Sequence, residues 1–324
     1  MIKKLLIYIS DSFNPYINLA REKYLLDNTP DDALILYLWQ NENTVVIGRN
    51  QNALSECRCA VLSQDGGNLA RRLSGGGAVF HDLGNLNFTF LCSSENYDLT
   101  RNMNVLSLAC KRAGIETQLS GRNDILADGR KFSGNAFYNS KGKSYHHGTI
   151  MIDADTEKMQ RYLSPPKAKL EAKGVKSVRS RVVNLKELNS ELNCEKMKEH
   201  MIKAFEESFG LKAFVIESIE DDEITKLAKK YSSWDYLYGT QPPFTFSCEE
   251  RFEWGSVDIK LNVIKGIIKE ASVFTDSMDW LLSEKLQTAL NGCRFEIGEI
   301  KNSLIKQIDT KTARDITDII EKNL

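Results

Sequence analysis

Two guanidiniums run directly into three glycines at Arg71-Arg72-Leu73-Ser74-Gly75-Gly76-Gly77, and the glycines lead into the apolar run Ala78-Val79-Phe80. Glycine lacks a Cβ and tolerates positive φ, so a loop of this kind brings backbone close to a ligand and aims N–H groups at an anion. Arginine adds a rigid fork of donors that matches phosphate or carboxylate. Further on, Asp128-Gly129 signals a two-residue hairpin that returns Arg130-Lys131-Phe132-Ser133-Gly134-Asn135 along a sheet. A strict period of two puts Lys131, Ser133 and Asn135 on one face and Phe132 on the other. A second cluster of cations, six Lys and Arg with one acid, follows the double proline at 165 and 166 and runs to Arg181. It reads as a mobile basic loop able to close over an anion.

These groups suit a ligand that carries both phosphate and carboxylate, and a reaction in which phosphate charge must be stabilised. Activation of a carboxylate by ATP through an acyl-adenylate engages all of them. Lys131 would bind the α-phosphate and carboxyl oxygens, N–H groups of the glycine loop would hold the nucleotide, and Asp124 is a candidate ligand for magnesium. Other chemistries lack their signatures: there is no GxxxxGK[ST] loop, no GxGxxG opening a helix and no GxSxG elbow. The four histidines, at 81, 146, 147 and 200, have no zinc-ligand spacing.

These side chains need a sheet to hold them. Residues 34–39 and 44–47 are β-rich runs joined by Gln-Asn-Glu-Asn, which predicts a hairpin. Asn85, Asn87 and Thr89 alternate with Leu86, Phe88 and Phe90, giving a strand whose polar face looks into the site. Residues 145–152 form another strand, on which His146 and His147 point to opposite faces, so one at most faces the site. Asn14-Pro15 starts a helix that carries Ile17, Ala20, Tyr24 and Leu25 at helical spacing, and residues 100–113 form a core helix stopped by Gly114. Gly239-Thr-Gln-Pro242-Pro243 breaks the chain, so a catalytic domain is expected over 1–243 and a small α+β unit over 249–324.

At 324 residues the chain is longer than one core usually organises. Its 43 Lys and Arg against 44 Asp and Glu leave a net charge of −1, which gives no general electrostatic footprint for nucleic acid. Seven cysteines are scattered without a CxxC pair, as expected of a reducing compartment. The short apolar run at the amino terminus closes at Asp11 and reads as a first strand. No stretch is long enough for a bilayer, so a cytoplasmic protein without membrane partners is expected.

Five motifs in order resemble those of the lipoate–protein ligase A family. They are Arg-Arg-x-Ser-Gly-Gly-Gly-Ala-Val-Phe-His-Asp-Leu-Gly-Asn at 71–85, Ser-Gly-Arg-Asn-Asp at 120–124, Arg-Lys-Phe-Ser-Gly at 130–134, His-His-Gly-Thr at 146–149 and Ala-Lys-Gly-Val-Lys-Ser-Val-Arg-Ser-Arg-Val at 172–182. The resemblance implies an α+β fold: a mixed β-sheet core flanked by helices, like that of biotin protein ligases and class II aminoacyl-tRNA synthetases, plus a small α+β carboxy-terminal accessory domain. It also implies that lipoate or octanoate reacts with Mg-ATP to give lipoyl-AMP and pyrophosphate, after which the lipoyl group passes to a lysine of a lipoyl domain. E2 subunits of 2-oxoacid dehydrogenases and the glycine cleavage H protein would be the acceptors, served by a monomer. Carried over by motif, Lys131 would match the essential lysine. Arg72, Gly75, Gly76, Gly77, Ala78, Val79, Phe80, Asn85, Asn123 and His147 would line ATP or lipoyl-AMP. Lys173, Gly174, Ser177 and Arg179 would belong to the loop that orders over the adenylate, and Pro242-Pro243 would be the pivot on which the small domain swings.

Two other readings compete. An ATP-independent octanoyl or lipoyl acyltransferase of the same fold would work through a cysteine thioester and needs an activated thiolate, yet no cysteine lies within the five motifs. A non-catalytic lipoate-binding protein would have little use for Lys131 at a phosphate.

Overall fold

Ala-Leu-Ile-Leu-Tyr-Leu-Trp at 33–39 shows no polar alternation, and a strand of that kind must be covered on both faces. In the computed structural model, which describes residues 1–49, 51, 53–119, 124–163, 182–219, 221–239 and 245–323, it is buried at every position inside an eight-stranded sheet. The chain falls into two units, Met1–Thr240 and Gln241–Leu324.

The strands of the first unit are β1 (Lys4–Ile9), β2 (Ala33–Trp39), β3 (Thr44–Ile47), β4 (Asn68–Arg71), β5 (Val79–His81), β6 (Asn85–Ser93), β7 (Gln118–Leu119), β8 (Asp124–Ala127), β9 (Arg130–Ser140), β10 (Lys143–Met151) and β11 (Ala213–Val215). The large sheet runs β11-β1-β2-β6-β10-β9-β8-β7, with β1 parallel to its two neighbours and the other pairs antiparallel. It is the mixed sheet that the resemblance implied. Helices Leu99–Arg112 and Cys194–Phe209 cover one face, where Met103, Leu106, Met201 and Phe205 pack with Phe88, Phe90 and Phe132. Helix Pro15–Asn28 covers the other. Its first N–H groups are satisfied by the Asn14 side chain, which accepts from Tyr16 and Ile17.

The hairpin predicted between 39 and 44 does not form. After β2 the Asn18 side-chain amide donates to the Gln40 carbonyl (2.8 Å) and the Asn41 side chain (2.9 Å), which holds the chain as it leaves the large sheet. β3 then enters a separate three-stranded sheet, parallel to β4 and antiparallel to β5. That small sheet suspends the glycine loop, because β4 ends at Arg71 and β5 begins at Val79. The Asp128-Gly129 turn does form as read, with φ of 50° and 68°, the left-handed pair that a two-residue hairpin favours.

In the second unit β12 (Phe246–Phe252), β13 (Gly255–Ile264) and β14 (Ile267–Thr275) make an antiparallel meander. Helices Leu282–Leu290, Ile297–Ile305 and Thr310–Lys322 close its core, where Ile259, Leu261, Leu286 and Ile316 are buried. Among the described residues no helix is long and apolar enough to cross a membrane.

Candidate active site

The glycine loop is shaped by the arginines that precede it. Arg72 is buried and its guanidinium turns inward. Nε donates to Ser74 Oγ (3.0 Å) and the Gly75 carbonyl (3.1 Å), Nη1 to the Val46 carbonyl (3.1 Å), and Nη2 to the carbonyls of Gly75 (2.6 Å) and Gly77 (2.8 Å). Arg71 does the same for the neighbouring loop, donating to the carbonyls of Gly48 (3.3 Å), Arg49 (2.9 Å), Gln51 (2.7 Å), Tyr236 (3.0 Å) and Leu237. Burial pushes the Arg72 guanidinium down to about 10, so it remains charged at neutral pH. Sequence pattern alone aims both forks at a ligand; in the structure they hold backbone carbonyls instead. Phe80 is likewise taken up by the protein, packed in an apolar cluster against Tyr162 with ring centroids 5.5 Å apart. Gly75, Gly76, Gly77, Ala78 and Val79 are half-buried. A Cβ on Gly48 would lie 2.3 Å from the Gly76 carbonyl oxygen, and Gly76 itself has φ of +86°, so both positions require glycine.

On the sheet face beside this loop, cross-strand pairing sets Thr89 opposite His147 and Asn87 opposite Thr149. Asn85 is buried and donates to Asn87 Oδ1 (3.0 Å). His147 is the histidine that faces the site: its Nδ1 is 2.8 Å from Glu22 Oε1 and its Nε2 is 2.7 Å from Ser74 Oγ. Thr89 donates to the same Glu22 oxygen (2.8 Å) and accepts from Trp39 Nε1 (3.0 Å). His146 lies on the opposite face against Phe88 and Phe137, where burial pushes it down to about 3. Sequence reasoning missed Glu22 and the part played by Ser74. A signal was present: Glu22 falls on the same helical stripe as the buried Asn18, Leu19, Leu25 and Leu26, a charge at a core position.

Strict alternation fails at the lysine hairpin. Ile125 pairs with Ser133 and Leu126 with Lys131, so Phe132 is the extra residue of a β-bulge. Lys131 keeps the site face. Asn135 does not: its Oδ1 meets His146 Nε2 at 2.8 Å, and Phe132 joins the apolar core. The lysine lies over Gly134, where a Cβ would stand 2.9 Å from Nζ and 4.0 Å from Thr149 Oγ1. Nζ is 2.6 Å from Asp124 Oδ1, with the lysine side chain 38% and the aspartate 17% exposed. Val182, where the described chain resumes, forms a bridge to Lys131. Asn123, Lys173, Gly174, Ser177 and Arg179 lie outside the described residues.

Among the described residues no group of three or more His, Cys, Asp or Glu could hold a metal by itself. Asp124 offers a single carboxylate, which suits magnesium delivered with phosphates and still largely hydrated. Cys92 and Cys110 are unsuited to thioester chemistry, because burial pushes them up to about 12. Cys59 alone among the described cysteines is lowered, by the Cys57 thiol beside it.

Residues 14–206 match the family model of the lipoyl protein ligase A/B catalytic domain, and residues 241–322 match that of the bacterial lipoate protein ligase C-terminus. A lipoate-protein ligase A from Psychrobacter cryohalolentis is 39% identical, covering 98% of this chain and 97% of its own. Among solved structures, P. falciparum LipL1 in complex with lipoate is similar with a TM-score of 0.78 at 30% identity, over 97% of this chain and 98% of its own. A bipartite lipoate protein ligase from Thermoplasma acidophilum, analysed with its E2 lipoyl domain, gives 0.64 at 25% identity over 76% of this chain and 100% of its own. With both models matched in order along most of its length, this chain belongs to the lipoyl protein ligase A/B family.

Proposed function

We propose that this protein is an ATP-dependent lipoate–protein ligase whose charge-stabilising group is Lys131. The lipoate carboxylate attacks the α-phosphorus of ATP, the bond to the bridging oxygen breaks, and lipoyl-AMP and pyrophosphate form. The ε-amine of an acceptor lysine then attacks the acyl carbonyl, AMP departs, and the amine proton goes to solvent. Lys131 exchanges Asp124 for the α-phosphate and acyl oxygens, placing positive charge where negative charge develops. Backbone N–H groups from Gly75 to Val79 hold the nucleotide, and Arg72 acts from behind by fixing the loop's carbonyls. Magnesium, when bound with the phosphates, neutralises part of their charge, and Asp124 is the residue that would hold it. Lys173, Gly174, Ser177 and Arg179 close over the adenylate, a role supported by the bridge that brings Val182 to Lys131. Asn123 lines the nucleotide, and Asn85 and His147 support the site face. Residues 1–243 are the catalytic domain and 249–324 the accessory one. Lipoate or octanoate is the acyl substrate, lipoyl domains of E2 subunits or the H protein are the acceptors, and the enzyme works as a cytoplasmic monomer.

The observation that carries this reading is a partly exposed lysine paired, among the described residues, with one acid on a polar sheet face, while both neighbouring arginines are tied to backbone. Intact-protein mass spectrometry of an apo lipoyl domain, incubated with the protein and free lipoate, tests it. A lipoyl-sized gain that requires Mg-ATP is expected. A gain without ATP, when an acylated carrier protein is supplied instead, would replace it with the thioester acyltransferase.

A further inference from the structure

We infer that Glu22 and Ser74 are positioning residues of the reaction, linked through His147 into a buried chain that fixes the glycine loop. The inference rests on the ligase reading for its kinetic consequence, but the chain of polarity stands on geometry. Glu22 and Ser74 are each 1% exposed. In the neutral imidazole one ring nitrogen donates and the other accepts, and the contact of Glu22 Oε1 with His147 Nδ1 at 2.8 Å assigns the donor role to Nδ1. Nε2 is then an acceptor, and the Ser74 hydroxyl donates to it at 2.7 Å. With its proton committed, Ser74 Oγ accepts from Arg72 Nε at 3.0 Å, and the same guanidinium grips the Gly75 and Gly77 carbonyls. The main-chain carbonyl of Ser74 accepts from the Arg49 N–H at 2.9 Å, which ties the loop to its neighbour as well. Thr89 completes the far end, donating to Glu22 Oε1 at 2.8 Å while it accepts from Trp39 Nε1 at 3.0 Å.

Serine, histidine and glutamate in this order are also the constellation of a nucleophilic triad. Here the serine is closed off from solvent and already holds an arginine, so the arrangement works as a strut. Both nitrogens of His147 are engaged, and its influence on a ligand passes through Ser74. Losing any member frees the hydroxyl to rotate and removes an anchor of Arg72. The loop's N–H groups then lose their fixed aim at the nucleotide.

The tests are a tautomer measurement and a double-mutant cycle on the full-length protein. Nitrogen-15 shifts of His147 in the wild type should show a protonated Nδ1 and an unprotonated Nε2. A proton on Nε2, with or without one on Nδ1, would overturn the inference even if no ligase activity exists, and the expected tautomer would stand apart from a failure of the ligase reading. In lipoate-dependent pyrophosphate exchange, Glu22→Ala and Ser74→Ala should each raise the KM for ATP about tenfold. The double variant should be no worse than the poorer single, as for residues acting as a unit. Glu22→Gln, whose amide oxygen can still accept from Nδ1–H, should restore most of the loss. Strictly additive effects, or equal damage from Gln and Ala, would mean that the residues only pack.

Discussion

Two cationic regions border the same site and are built in opposite ways. Around the glycine loop, Arg71 and Arg72 are buried and each guanidinium ends on several backbone carbonyls, so neither can turn toward a ligand without leaving polar oxygens unpaired. On the hairpin, Lys131 is 38% exposed and, among the described residues, paired with the carboxylate of Asp124. An ammonium on a flexible stem can exchange one anionic partner for another at small cost. The difference teaches that positive charge in a phosphate site divides into frame and reagent, and that the number of fixed acceptors separates them.

The largest expected effect follows from removing the reagent. Lys131→Ala should reduce lipoyl-AMP formation by about 10²–10³-fold, with an unfolding midpoint close to wild type because the side chain is outside the core. Changing the frame should do the reverse. Arg72→Lys keeps the charge but cannot reach Val46, Gly75 and Gly77 at once, and should cost on the order of 2–4 kcal/mol of stability in urea unfolding. A variant as stable as wild type would show that the carbonyl contacts are dispensable.

Acid should weaken the buried structure. His81, 3.2 Å from the Asn41 amide, is pushed down to about 3 by burial, with the charge of Arg72 adding to the effect, and His146 is held near the same value. Unfolded histidine takes a proton near pH 6.5. Between 6.5 and about 3 the unfolded chain therefore binds more protons, and stability is complete above that window and lost as pH falls through it. Unfolding free energies from urea titration should drop from pH 7.5 to 5 by up to about 2 kcal/mol per histidine. A flat profile would contradict the buried neutral imidazoles. The smallest effect belongs to Gly134→Ala. The new Cβ meets only the flexible tip of Lys131 at 2.9 Å, so pyrophosphate exchange should fall about threefold to tenfold with less than about 1 kcal/mol lost in stability.

Local signals were legible wherever short-range sterics decide the outcome. The Asp128-Gly129 turn, the alternation of Asn85, Asn87 and Thr89, and the glycine loop ahead of a strand all appear as the sequence indicates. What failed depends on distant partners. No local pattern shows that Phe132 is left unpaired in the ladder and that Asn135 turns to the other face, because that register depends on pairing with β8. The chain between Trp39 and Thr44 reads as a hairpin until the Asn18 amide, on a separate helix, claims the Gln40 carbonyl. The arginines look like ligand contacts until the carbonyls of Val46 and Tyr236 are seen to converge on them. Glu22 shows in the sequence only as a charge on a buried stripe, and its partner is seen once His147 arrives from β10.

The most direct test of the division between frame and reagent is lipoate-dependent exchange of labelled pyrophosphate into ATP by Lys131→Ala, measured on protein whose urea midpoint has been shown to match wild type. Exchange lost by at least about a hundredfold at unchanged stability is the predicted result. Exchange at the wild-type rate would contradict it, and would return the search for the phosphate-binding charge to other residues.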